Sequence, residues 1–137
     1  MFALGSVIVG QFVTSAVLAA GSASSTTSIA GRWSIAGGVF EFIATGPKNF
    51  TNKVIKQRTG IFCPSVNDHN GQIKLTHVSK FVYTGKWEWF WTNTCQSSGY
   101  GTVRITMDTN GRTAHFTADP PAGENGTPES YTLRRIK

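Results

Sequence analysis

The sequence has little that could carry catalysis. It contains no serine or cysteine in a recognisable nucleophile motif, and its three histidines, His69, His77 and His115, are far apart in the chain. Glu41 and Glu88 each lie between aromatic neighbours, so strand alternation predicts that both face away from the buried side. We therefore predict no catalytic residue, no metal site and no cofactor. The alternative is a small secreted hydrolase or isomerase that uses an internal histidine or glutamate.

Acidic residues are also scarce. Seven Asp and Glu residues stand against thirteen Lys and Arg residues, which gives a net charge of +6. The basic residues are scattered, and their tightest group is Arg134, Arg135 and Lys137 at the C-terminus. Scattered positive charge attracts anionic surfaces in general, but it forms no concentrated patch, so we expect no nucleic-acid partner. An anionic polymer of the cell envelope or a protein is the expected partner if the chain binds no small ligand.

No charged residue occurs between Met1 and Ala23. This stretch is mostly apolar, ends in small residues and is followed by a Ser/Thr run that reaches Ser28. The pattern predicts a secretory signal peptide in residues 1–23 and a spacer in residues 24–28. Because no Lys or Arg precedes the apolar run, the alternative is an uncleaved N-terminal membrane anchor, and a membrane is an expected partner only in that case. Residues 29–137 are predicted to form one secreted or extracytoplasmic domain.

There are only two cysteines, Cys63 and Cys95. An even number of cysteines in an exported chain predicts a disulfide. Neither cysteine has another Cys or a His at the spacing of metal ligands. Closing a loop of about 33 residues stabilises a small domain by roughly 3–4 kcal/mol in the chain-entropy treatment.

The folded part shows no amphipathic helix, heptad or repeat. It consists of short β-branched and aromatic runs separated by Gly, Pro and Asn-Gly, which is typical of an all-β protein. The runs predict eight strands, at residues 29–35, 39–45, 50–58, 72–79, 81–91, 100–107, 113–118 and 130–136. A single antiparallel meander of this kind forms a closed barrel or a β-sandwich. The disulfide would then join the loop before the fourth strand to the loop after the fifth.

The fifth predicted strand is unusually aromatic. Alternate side chains of a strand face the same way, so Tyr83, Trp87, Trp89 and Trp91 are predicted to share one face. That face is either the wall of the core or the lining of a pocket for a hydrophobic ligand or a sugar ring. Both interpretations stay open at this point.

The first predicted strand contains Gly31-Arg32-Trp33. A Gly-x-Trp at the start of the first strand resembles the calycin signature of lipocalins, avidins and their relatives. In those families the Trp closes one end of the barrel, and an Arg of a late strand packs across it; here Arg134 or Arg135 would take that place. The resemblance implies an eight-stranded up-and-down barrel with an internal ligand site.

The segment Asn67–Gly71 has several oxygen-bearing side chains before a glycine. It is partly similar to a calcium loop but lacks the remaining carboxylates and the terminal Glu. We interpret it as a polar turn.

Together these observations predict an exported, non-enzymatic domain that holds a small apolar or amphipathic ligand in a β-barrel. The ligand would bury its apolar surface against aromatic side chains. The alternative is an extracytoplasmic module with a solid core and a basic surface, which contacts a protein or an anionic envelope polymer. The candidate ligand-binding side chains are Phe40, Phe42, Tyr83, Trp87, Trp89 and Trp91.

Overall fold

Eight antiparallel strands form a closed barrel in the computed structural model, which describes residues 28–137. β8 pairs with β1 and so closes the sheet. This result confirms the all-β meander and decides for a barrel over a sandwich. The predicted signal peptide or anchor in residues 1–23, and most of the predicted spacer, lie outside the described residues. The strands are β1 (Gly31–Ile35), β2 (Gly38–Ala44), β3 (Asn49–Lys56), β4 (Ile73–Ser79), β5 (Val82–Phe90), β6 (Ser97–Met107), β7 (Thr113–Ala118) and β8 (Glu129–Ile136).

The strand bounds differ from the predicted ones by two residues or more at three places. β1 begins at Gly31 and not at Ile29, whose backbone N–H donates to the Tyr83 hydroxyl. β6 begins at Ser97 and not at Tyr100, because Ser97 pairs with Phe90 across a register shift in β5. β3 ends at Lys56 and not at Arg58, since the backbone N–H of Arg58 donates to the Asp68 carboxylate at 2.9 Å. A side chain from a distant loop therefore ends this strand.

The barrel interior is filled by the inward side chains of all eight strands. Trp33, Tyr83 and Phe116 are among its largest fully buried residues. The ring of Phe116 meets that of Trp87 edge to face, with centroids 5.0 Å apart. Such aromatic pairs add about 0.5–1.5 kcal/mol beyond the burial of their area. Two residues of the predicted aromatic face, Tyr83 and Trp87, thus belong to the core, and Trp89 packs against it.

Two glycines allow neighbouring backbones to approach closely. A Cβ at Gly85 would lie 1.8 Å from the carbonyl oxygen of Lys74, and a Cβ at Gly101 would lie 1.8 Å from that of Asp119. No side chain fits at either position. Glycines of this kind mark sharp bends at barrel corners.

The two ends of the barrel differ in the length of their connections. At one end, called the closed end, the turns are short and residues 28–30 lie across the opening; these turns span residues 45–48, 80–81 and 108–112. At the other, called the long-loop end, three longer loops meet, at residues 57–72, 91–96 and 119–128. Binding sites are commonly formed by loops that a rigid scaffold holds in place, so a binding site is expected at the long-loop end.

The disulfide joins two of these loops. Cys63 and Cys95 are bonded, with their Cα atoms 5.6 Å apart, which confirms the predicted pair and its position. A structural disulfide indicates an oxidising environment. Between residues 28 and 137, no helix of the length and apolarity needed to cross a bilayer is found.

Candidate functional site

The closed end is sealed by hydrogen bonds. The indole Nε1 of Trp33 donates to the carbonyl oxygen of Ile29 at 2.8 Å, and the backbone N–H of Ile29 donates to the hydroxyl oxygen of Tyr83 at 3.1 Å. The guanidinium of Arg135 lies over the Trp33 ring, 4.3 Å from its centroid. It also donates to the carbonyl oxygens of Ala30 at 2.8 Å and Gly111 at 2.7 Å. Burial lowers the pKa of Arg135 below its usual value.

A cavity of about 230 Å³ lies at the long-loop end. It is bounded by the end of β5, the start of β8 and the loop 57–72. Its lining combines aromatic rings with few charges, which is usual for small-molecule sites. The side chains that matter chemically are Arg58, Trp87, Glu88, Trp89, Glu129 and Tyr131.

Arg58 is a buried cation on the cavity wall, and its side chain is only 3% exposed. Its Nε donates to Asp68 Oδ1 at 2.6 Å, and its Nη1 donates to the hydroxyl of Tyr131 at 3.0 Å. Its Nη1 also lies 3.4 Å from Glu129 Oε1. The guanidinium stacks over the ring of Trp87 at 4.8 Å. The charge of Arg58 is therefore already compensated by protein groups.

Tyr131 connects Arg58 to Glu129. Its hydroxyl accepts from Arg58 and donates to the Glu129 carboxylate. Burial raises the pKa of Tyr131 to about 12, and the bond to Glu129 acts in the same direction while the charge of Arg58 opposes it. Tyr131 is therefore a neutral donor and acceptor at physiological pH.

The two tryptophans of the cavity wall carry unpaired donors. Trp87 is 2% exposed, and the Nε1 atoms of Trp87 and Trp89 are buried without a hydrogen-bond partner among residues 28–137. The indole of Trp89 lies against Gly101, where a Cβ would come within 2.8 Å of its Nε1. A buried donor left unpaired costs about 1–3 kcal/mol. Both Nε1 atoms are also closed to solvent, so a partner would reach them only after the surrounding side chains move.

A larger apolar groove of about 630 Å³ adjoins the cavity. The two share Phe62, Trp89, Phe90, Thr92 and Glu129 in their linings. The groove runs between the loops 91–96 and 119–128 and is flanked by two exposed rings, Phe62 at 79% and Trp91 at 46%. Both rings are therefore available to a molecule that enters the groove.

Glu88 differs from its predicted environment. As strand alternation predicts, Glu88 faces away from Trp87, but its side chain is only 17% exposed. The cause is His69 of the loop 57–72, whose Nε2 lies 3.2 Å from the Glu88 carboxylate. The His69 ring also meets Phe90 edge to face at 5.4 Å. The outer surface of β5 is thus covered at this end by a loop whose path the sequence pattern does not reveal.

The predicted ligand-binding residues separate into three groups. Trp87 and Trp89 line the cavity, and Trp89 and Trp91 line the groove. Trp91 leaves the shared face because β5 ends at Phe90, after the register shift. The other three candidates line neither space and belong to the core: Phe40, Phe42 and Tyr83.

Arg58, Phe62, Glu129 and Tyr131 are site residues that the sequence interpretation missed. Arg58 falls at the end of the third predicted strand, and Phe62 falls between the third and fourth predicted strands. No local pattern distinguishes Arg58 from the other basic residues, because its neighbours Gln57 and Thr59 are polar. Its partner Asp68 belongs to the polar turn at residues 67–71. Two contacts hold this turn against the barrel: the pair of Asp68 with Arg58, and the Asn70 Oδ1, which accepts from the backbone N–H of Val54 at 2.7 Å.

In that turn the Asp68 carboxylate, the one acidic group of residues 67–71, is engaged by Arg58. Throughout the part of the chain that the structure describes, no three His, Cys, Asp or Glu side chains are grouped as metal ligands would be.

Comparisons of the chain with protein families, with curated proteins and with solved structures found no match. The contact of Trp33 with Arg135 is of the kind that the calycin resemblance implies, while membership of that group stays a prediction.

Proposed function

We propose that this protein is an exported, non-enzymatic binding domain that holds a small amphipathic ligand at the long-loop end of its barrel. The observation that carries the proposal is the cavity beside Trp87 and Tyr131 and its continuity with the apolar groove. Aromatic rings with a few polar groups around an open space form the usual lining of a small-molecule site.

The size of the cavity suggests how a ligand would lie. At about 230 Å³ it is smaller than the roughly 300–1,000 Å³ usual for small-molecule sites. The adjoining groove supplies the remaining space and most of the apolar surface. The polar head of the ligand would lie where the groove meets the cavity, at Glu129, and its apolar part would lie in the groove along Trp91 and Phe62.

Export is part of the proposal. It is supported by the Cys63–Cys95 disulfide and by the apolar, uncharged stretch of residues 1–23. The calycin resemblance, through Gly31-Arg32-Trp33 and Arg135, supports a carrier of small ligands, because that is the function it implies.

A second candidate function rests on the outer face of the sheet. Lys74 and Lys86 lie directly opposite each other on β4 and β5, and Arg104 follows on β6. Like charges in this position repel, and among residues 28–137 none of the three has an ion-pair partner. This face supports an interaction module for an anionic envelope polymer.

The test of the leading proposal is calorimetric titration of the domain with octyl amphiphiles of different head groups and with simple sugars. Thr92→Phe is the blocking variant, because Thr92 is an exposed residue that lines both spaces. Thr94→Phe is the matched control, since it adds the same ring to the same loop outside both linings.

Saturable binding of one probe class that Thr92→Phe abolishes and Thr94→Phe preserves is the expected result. No binding of any probe would overturn the proposal. Binding that both variants retain would place it elsewhere on the molecule and would also overturn the proposal for this site.

A further inference from the structure

The charge of the site opposes the charge of the whole protein. The net charge is +6, but the cavity and groove together are lined by three carboxylates, Glu88, Glu124 and Glu129, and by one basic side chain, Arg58. Arg58 is itself paired with Asp68, which is fully buried behind it. The field inside the site is therefore negative, although the protein as a whole attracts anions.

Glu124 is the carboxylate most available to a ligand. It is half-buried at the wall of the groove, and no ion-pair partner for it exists within residues 28–137. Glu129 is held by Tyr131 and Arg58, and Glu88 lies beside His69. A half-buried carboxylate without a cation is a group that a positively charged ligand would compensate.

The aromatic rings around these carboxylates favour the same class of ligand. Ring faces attract cations within about 6 Å, and this site already holds one protein cation in that way, with the Arg58 guanidinium 4.8 Å from the Trp87 centroid and 5.5 Å from that of Tyr131. The rings of Trp89, Trp91 and Phe62 line the remaining space. Aromatic side chains beside a carboxylate form a common arrangement for binding substituted ammonium groups.

We infer that the ligand of this site is an organic cation, an amphipathic amine or quaternary ammonium compound. Its positive head lies near Glu124 and Glu129, where the groove meets the cavity, and its apolar chain lies along Trp91 and Phe62. The inference rests on the proposed function and adds the chemical class of the ligand. Anionic amphiphiles are excluded from the same space by the three carboxylates.

The experiment compares three probes with the same chain and different heads: octyltrimethylammonium, octyl sulfate and octyl glucoside, each below its critical micelle concentration. Their dissociation constants are measured by calorimetry on the full chain with its disulfide intact. We expect the cation to bind more tightly than the neutral probe by on the order of tenfold, with the anion weakest. The preference should shrink as salt is added.

The matched variants are Glu124→Gln and Glu41→Gln. Each substitution removes one negative charge and leaves a side chain of nearly the same shape. Glu41 lies on β2, outside the linings of the cavity and the groove, where it pairs with Arg32. Glu124→Gln should weaken binding of the cationic probe by about two- to fivefold and leave the neutral probe unchanged. Glu41→Gln should change neither.

The outcomes separate this inference from the proposed function. Equal binding of the cationic and neutral probes, or tightest binding of octyl sulfate, would overturn the cation inference and leave the binding function standing. Failure of all three probes would overturn both.

Discussion

Both ends of this barrel place an arginine over a tryptophan. Arg135 lies 4.3 Å above the Trp33 ring at the closed end, and Arg58 lies 4.8 Å above the Trp87 ring at the long-loop end. The two pairs are matched in chemistry and in spacing. The difference between the ends lies in what surrounds each pair.

At the closed end the partners belong to the backbone. Arg135 and the Trp33 indole donate to carbonyl oxygens that the fold itself fixes in place. At the long-loop end the partners of Arg58 are side chains, Asp68 foremost, and the Trp87 indole has no partner among the described residues. The same two residue types thus seal one end and line a cavity at the other, and the pairing of the indole N–H is what distinguishes the two.

The largest expected effect is at Asp68. Asp68→Ala leaves the buried Arg58 charge without its main counter-ion and should lower the free energy of unfolding by about 3–5 kcal/mol. Adding Arg58→Met to that variant should recover much of the loss, because no charge is then buried. Urea denaturation of both variants measures this; a loss of less than about 1 kcal/mol for Asp68→Ala would contradict the account of a buried pair.

The disulfide should follow in size. Replacing Cys63 and Cys95 together by serine should reduce the free energy of unfolding by about 3–4 kcal/mol. Hydrogen exchange should show that the amides of the loops 57–72 and 91–96 lose most protection, because these loops open locally without the disulfide. The amides of the closed end should exchange only through global unfolding. Equal loss of protection at the two ends would show that the ends are not independent.

A matched pair of substitutions measures the difference between the ends directly. Trp33→Phe and Trp87→Phe remove the same volume beneath an arginine, but only the first breaks a hydrogen bond, that to Ile29. Trp33→Phe should therefore be the more destabilising by about 1–3 kcal/mol, as measured by thermal and urea denaturation. Equal losses would mean that the Trp87 indole is paired in solution.

The smallest effect concerns pH. The pKa of Tyr131 is raised to about 12 in the folded protein, whereas an unfolded tyrosine titrates near 10. The folded state keeps a proton that the unfolded state loses, so stability should fall as the pH rises from about 10 through the folded pKa.

Tyr131→Phe should remove this part of the pH dependence. The measurement is urea denaturation of both proteins at about pH 9 and about pH 11, where the unfolded tyrosine changes charge. Parallel losses of stability in the two proteins would refute the raised pKa of Tyr131.

How much of this could be predicted depends on the range of the interactions. Strand alternation gave the inward positions of Tyr83 and Trp87, and the cysteine count gave the disulfide, because both are local or compositional signals. The bulge that turns Trp91 outward depends on pairing with β6, which no local pattern encodes. Whether the aromatic face is core or pocket depends on where the loop 57–72 runs, and that path is fixed by Arg58 and Asp68 across ten residues.

The central claim is that the long-loop end, and not the closed end, receives a ligand. The most direct test is a two-dimensional ¹⁵N–¹H spectrum of the four indole groups, titrated in turn with the three octyl probes and assigned through single Trp→Phe variants. The account predicts that the Trp87 and Trp89 signals move and saturate together while the Trp33 signal stays in place. Unmoved Trp87 and Trp89 signals with every octyl probe, or a Trp33 signal that moves with them, would contradict it.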